Sequence, residues 1–349
     1  MNNEGTVNLR GELSLWGGTE FNNKGVLRAM AGGPNYVGMD GSTFNNSGVV
    51  EAVGDLSVID GGSSFFTNVG GTLASAPGLL EIRSGGSHSG VMNITGSQVL
   101  FTGGTRTFAN GSTVNGQLNV HNTDIFPIQM GFGTTVLNGL LDVSGGGGLN
   151  AVVGGGSTLT LNGGMSAPAG PVNFSGGGTI ELPVGQTMAL TGVTSYTLDG
   201  VTLNNEGTVN LRGELSLWGG TEFNNKGLLR AMAGGSNYVG MDGSTLNNSG
   251  VLEAIGDLSI INTSSSLFTN VGGTLASAPG YLDIWAQSSH SGAINITGSQ
   301  VRFLGETHAF AAGSTVNGQL NLMGGTLSPG SSPGTLVING DYTQGPDAT

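Results

Sequence analysis

The phrase Phe21-Asn22-Asn23-Lys24-Gly25 recurs along the chain, and its recurrence constrains the fold more than any other feature. It returns as Phe44-Asn45-Asn46-Ser47-Gly48 and, loosened, as Phe66-Thr67-Asn68-Val69-Gly70. Met1-Asn2-Asn3-Glu4-Gly5 is the same phrase with Met in the lead. The leads at 1, 21, 44 and 66 are spaced by 20, 23 and 22 residues. Intervals of this size mark a solenoid, in which each repeat is one turn of a coil. A longer repetition lies over the short one. Residues 2–25 reappear unchanged at 204–227, 202 positions on, and the match continues with substitutions to Asn119, the partner of Asn321. The chain therefore divides into a first solenoid copy at 1–120, a glycine-rich spacer at 121–202 expected to continue the coil, and a second copy at 203–349. Met1 stands where the second copy has Leu203, inside a running repeat, so the chain is expected to belong to something longer.

The turn itself reads as strands. Apolar residues alternate in short runs such as Leu13-Ser14-Leu15, Leu56-Ser57-Val58 and Leu80-Glu81-Ile82, which is the period of a strand. Within 21–43 three pieces stand out: one with Phe21 and Asn23, one with Leu27 and Ala29, one from Tyr36 to Met39. Glycine, 68 residues of 349, and Asn punctuate them as turn residues do. No window carries a helical stripe; a short helical turn near Ala74–Pro77 is the best candidate. Three strands per turn predict an all-β parallel β-helix with three sheets, each strand pairing with its counterpart one turn away, roughly 4.8 Å along the axis. At about 21 residues per turn the chain allows on the order of 16 turns.

The motif has a physical content. The lead apolar residue points inward, and the Asn two positions later bonds the Asn of the next turn in a ladder. The expected ladder in the first copy comprises Phe21, Asn23, Phe44, Asn46, Phe66 and Asn68. In the second it comprises Phe223, Asn225, Leu246, Asn248, Phe268 and Asn270. The following Gly is expected to supply φ > 0 at the bend. Comparing the copies, Val26/Leu228, Phe44/Leu246, Val50/Leu252, Val53/Ile255 and Val58/Ile260 exchange only among apolar residues and are assigned inward. Pro34/Ser236, Asp60/Asn262, Arg83/Trp285 and Arg106/His308 change freely and are assigned outward.

The phrases FNNKGVLRA and FNNSGVVEA, and above all GGTLSPGSSPGTLVINGDYTQ at 324–344, resemble the passenger regions of bacterial autotransporters and related large surface adhesins. Gly325–Gly330, Ser332–Leu336 and Gly340–Gln344 are similar to that family's passenger-associated repeat. The resemblance covers 1–119 and 204–344. It implies a right-handed, single-stranded parallel β-helix, export from a Gram-negative-type cell, and an extracellular or cell-surface location. It implies partners among glycans and proteins of a host, a matrix or a neighbouring cell. The matching motifs are structural, so no catalytic residue comes with them, and no cofactor or metal is expected. The chain shows no signal peptide.

The net charge is −13, from 9 Lys+Arg against 22 Asp+Glu, which disfavours phosphate backbones, so no nucleic-acid partner is expected. Open coil ends are expected to allow head-to-tail self-association. Polysaccharide-cleaving or carbohydrate-binding β-helices are the alternative. Asp40, Asp55 and Asp60 fall within one to two turns, and paired carboxylates can divide acid and base work across a glycosidic bond. Yet Asp-Gly at 40–41 and 60–61 reads as turn chemistry, and Asp60 is Asn262 in the second copy. His88 and His290, copy partners in Ser-His-Ser-Gly, are expected on solvent-exposed turns. With no Cys and no close His pair, no zinc site is expected. The glycine runs at 145–148 and 154–156 lack the Lys-Ser/Thr of a phosphate loop. Trp16, Trp218 and Trp285 have the surface to stack on sugars, but Trp16 and Trp218, at a strand end, are expected to pack under a loop. A groove, with strand-face acids and aromatics converging in one concave strip, would favour the enzyme.

Overall fold

The computed structural model describes residues 1–121, 127–130, 133–144, 148–192, 195–330 and 334–349; the side chains of 127–130 and of Ser264 are not among what is described. Residues 145–147 of the first glycine run and 331–333 of the passenger-like phrase lie outside them. Among the described residues there is no helix, and every regular element is a strand. The helical turn expected near Ala74–Pro77 is instead the strand Thr72–Ser75 followed by a cis Ala76–Pro77 bond. The chain forms two compact units, Met1–Val172 and Asn173–Thr349, each a parallel β-solenoid with three strands per turn. Each takes a share of the spacer. In the first, Thr134–Leu137 pairs with Thr113–Asn115 on one side and Thr158–Leu161 on the other. In the second, Thr179–Leu182 pairs with Thr202–Asn205, and Ser195–Asp199 with Glu214–Trp218.

Three sheets build the first unit. One stacks Glu20–Asn23, Thr43–Asn46, Phe65–Val69 and Gly86–Ser89. A second stacks Thr6–Leu9, Val26–Ala29, Val49–Ala52 and Thr72–Ser75. The third stacks Glu12–Trp16, Asn35–Asp40, Leu56–Asp60 and Leu80–Ile82. Register follows the phrase, with Phe21 opposite Phe44, Phe44 opposite Phe66, and the Asn residues opposite one another. Inside the coil Phe21, Phe44 and Phe66 are fully buried, and successive ring centroids are 5.1 Å apart, one pair tilted and one edge-to-face. Each buried ring contributes about 1.5–3 kcal/mol by removal from water. In the second unit Phe223, Leu246 and Phe268 form the corresponding buried column. There Leu320–Pro329 is long enough to pair along two successive strands of the turn before it.

Two expectations about individual positions are corrected. The motif glycines Gly25, Gly48, Gly227 and Gly250 do not have positive φ; only Gly70 and Gly272 do, at 71° and 69°. Gly48 is required because a Cβ there would lie 2.1 Å from the carbonyl oxygen of Gly25 one turn away, and Gly250 meets Gly227 in the same way. Of the positions assigned inward, Val26, Val53, Leu228 and Ile255 are only half-buried, because they lie on the outward parity of their strands or in the bend that follows.

Candidate functional site

The amide ladder is the first constellation. Asn23 Nδ2 donates to Asn46 Oδ1 at 2.8 Å, and Asn46 Nδ2 to Asn68 Oδ1 at 2.7 Å. Asn3 extends the column, donating to Asn23 at 2.7 Å. In the second unit Asn205, Asn225, Asn248 and Asn270 repeat it at 2.6, 2.7 and 2.6 Å. All are buried, and Asn23 and Asn225 also donate to the backbone carbonyls of Val49 and Val251. The ladder satisfies buried polar groups at a corner of the coil and offers nothing to a ligand.

The histidines continue these columns, correcting their expected exposure. His88 stands opposite Asn68 and then Phe108; His290 stands opposite Asn270 and then Phe310. Both are buried. Burial, reinforced for His88 by the charge of Arg106 and for His290 by His308, pushes each imidazole down to about 3. The ring of His290 stacks on Phe310 at 4.6 Å. Ser288 Oγ lies 2.7 Å from both His290 Nε2 and His308 Nδ1. Arg106 and His308, assigned outward from their free exchange, are also buried. Arg106 shares the parity of Phe108 in Arg106–Phe108, and its guanidinium donates to the carbonyl oxygens of Ile82 and Gly103 and lies 5.0 Å from the centre of the Phe101 ring. This cluster is sealed from solvent and serves the core.

Of the three acids weighed as a carboxylate pair and read as turn residues, Asp55 and Asp60 do turn work. Asp60 Oδ1 accepts from the amides of Gly62 at 2.7 Å and Ser64 at 3.2 Å, and Asp55 Oδ1 accepts from Leu79 at 3.0 Å. Among the described residues no group of three or more His, Cys, Asp or Glu converges on a metal position.

One sheet face, present in both units, brings exposed aromatic and acidic side chains together. Trp16, expected under a loop, is 66% exposed, and its copy Trp218 is 53% exposed. Leu15 and Leu217 occupy the core, so strand alternation turns the next residue outward. Across the sheet the outward rows are Glu12–Tyr36–Ser57, Ser14–Gly38–Ile59 and Trp16–Asp40. The middle row has no side chain at Gly38. A shallow trough of about 260 Å³ lies there, lined by Glu12, Trp16, Asp40 and Ile59 with backbone of 38–39 and 61. In the second unit Glu214, Trp218, Tyr238, Asp242 and Ile261 line an equivalent trough of about 260 Å³ over Gly240. Glu214 accepts hydrogen bonds from Ser216 at 2.6 Å, Tyr238 at 2.5 Å and Ser195 at 3.2 Å. The bonds from Ser216 and Tyr238 hold its carboxyl below the ordinary carboxylate value, against a smaller upward push from burial. In the first unit Ser14 donates to Glu12 in the same way. The second unit adds Trp285, 44% exposed, and Tyr281, whose ring lies 4.0 Å beneath Arg302; Arg302 is held by Asp283 through two bonds of 2.6 Å. Strand parity and a glycine inside an otherwise regular strand were the sequence signals for this face.

The fold and this face define a class: a parallel β-solenoid of three strands per turn with a duplicated aromatic and acidic sheet surface. No protein-family model, no curated protein and no solved structure matches the chain.

Proposed function

We propose that this chain is a non-catalytic structural and adhesive solenoid. It displays a surface for contact with glycans or proteins of a cell or matrix, in an extracellular setting of the kind the autotransporter resemblance implies. The observation that carries this reading is the duplicated outward face. The same residue types stand at the same register positions in both units, over a buried core. Beads coated with the chain should be retained on extracellular matrix or on cells above beads coated with an unrelated protein of equal net charge. Equal retention would sink the reading.

The carbohydrate alternative has support in the exposed Trp and Tyr side chains, and it is favoured as binding rather than cleavage. A general acid needs a carboxyl whose pKa is raised toward the working pH. Glu214 is displaced the opposite way by the hydroxyls around it. The expected outcome with plant and bacterial polysaccharides is therefore no release of reducing ends; sustained release would overturn the non-catalytic assignment.

A further inference from the structure

We propose that the trough over Gly38, and independently its copy over Gly240, binds a neutral pyranose of an oligosaccharide, with the sugar ring stacked on Trp16 or Trp218 and its hydroxyls bonded to the flanking carboxylates. This inference rests on the contact role above and gives it a ligand. Its first support is a glycine without a structural cause. Glycine inside a strand weakens the strand and marks a bulge, a crowded backbone, or a place where a ligand comes close. Gly38 sits in unbroken register with both neighbouring strands, so no bulge explains it; Gly240 is in register with both of its neighbours, and a shift toward Leu258–Ser264 follows it, between Met241 and Asp242. A Cβ added there meets nothing nearer than Glu12 Oε1 at 3.5 Å, and at Gly240 nothing nearer than the Tyr238 ring at 4.0 Å. Neither residue is in the left-handed region. The fold leaves room for a side chain at both positions, and both hold none.

The second support is the chemistry of the rim. An indole more than half exposed costs solvation unless something covers it, and the apolar face of a pyranose is a flat partner for its π surface. Sugar hydroxyls are donors, and ionised carboxylates are acceptors only. Glu12 and Asp40 rim one trough, Glu214 and Asp242 the other, and neither trough is lined by a cation. That balance suits a neutral sugar and opposes uronic or sulfated ones. A quaternary ammonium is the competing ligand for aromatic and acidic groups. Glu214 and Tyr238 share one register position, four residues along the strands from Trp218, or about 13 Å at the usual strand rise. A cation is held within about 6 Å of one ring centre and uses only that part of the rim. A saccharide chain laid across the trough can touch both ends.

The test is a titration of the full chain, by calorimetry and tryptophan fluorescence, with the tetrasaccharides of cellulose, chitin and mannan, with tetragalacturonate, and with choline. Two double variants accompany it: W16A with W218A, and G38V with G240V. We expect saturable binding of at least one neutral tetrasaccharide, weakened about tenfold by the tryptophan pair. We expect the valine pair to abolish binding without lowering the melting temperature, since valine suits an open strand position. Absence of binding by every neutral tetrasaccharide, binding only of galacturonate or choline, or binding unchanged in the tryptophan pair would overturn the proposal. Bead retention that persists without saccharide binding would overturn this inference and leave the contact role standing. Loss of bead retention alone would count against the contact role.

Discussion

At the residue scale, the buried amide column makes a sharp prediction, because neighbouring positions on the same strand face opposite environments. Asn46 accepts from Asn23 and donates to Asn68, and all three are buried. Asn46→Ala strands Asn68 Oδ1 without a donor, and a buried polar atom left unpaired costs about 1–3 kcal/mol. Asn45, one residue earlier, donates to Asn22 and Glu20 on the half-exposed outer face. Asn45→Ala should stay within about 0.5 kcal/mol. Urea midpoints for the two variants check this, and equal midpoints would show that the ladder contributes no stability. The column was legible because Asn23, Asn46 and Asn68 repeat in a fixed place behind an aromatic lead. Trp16 and Arg106 were misplaced although parity was available: Trp16 follows inward Leu15, and Arg106 lies two residues before inward Phe108. The free exchange of Arg106 with His308 between the copies, and the expectation of a loop over Trp16, pointed away from the local pattern. His88 had no such pattern, since Gly86–Ser89 contains no aliphatic residue to set its parity.

At the scale of the strand and its turn, glycine does two opposite jobs, and one substitution separates them. Gly48 closes the bend where consecutive turns touch, and a Cβ would sit 2.1 Å from Gly25 O and 2.6 Å from the carbonyl carbon of Lys24. Both obstacles are backbone, so the turns must move apart. Gly48→Ala should cost about 1–3 kcal/mol or more. Gly38→Ala meets no obstacle and reduces the freedom of the unfolded chain, so it should stabilise by up to about 1 kcal/mol. Thermal melts of the two single variants should move in opposite directions; a fall in both would mean that Gly38 has a structural duty. The strands themselves were legible. The pieces expected around Phe21, Leu27 and Tyr36–Met39 are Glu20–Asn23, Val26–Ala29 and Asn35–Asp40. The cause of the motif glycine was not, because a close approach between turns is a contact across 20 or more residues and leaves no mark in the local phrase.

At the scale of the molecule, the buried imidazoles set how the protein responds to acid. His88 and His290 are held near 3 and His308 near 4, all chiefly by burial, against an ordinary value of 6.5. Above pH 6.5 these groups are neutral whether the chain is folded or not, and they add no pH dependence. Below 6.5 the unfolded chain takes up protons that the core refuses, so stability falls with pH down to the folded values. Glu81 acts later. Partial burial pushes Glu81 upward, but hydrogen bonds from Arg83, Thr102 and Ser57 outweigh it and hold Glu81 below 4.5, so its contribution is lost only at more acid pH. A decline in melting temperature between pH 6.5 and 5 is therefore an imidazole signature. It should appear even though net charge, −13 at pH 7, shrinks toward the pI of 4.4 and relieves self-repulsion over the same range. His88→Asn with His290→Asn extends each amide column by one residue type already used there and removes two of the groups that resist protonation. The double variant should melt lower at pH 7, from lost packing, yet show a flatter slope between pH 6.5 and 5. A slope equal to that of the parent chain would mean that these imidazoles become protonated without the core opening, and that acid acts through the surface.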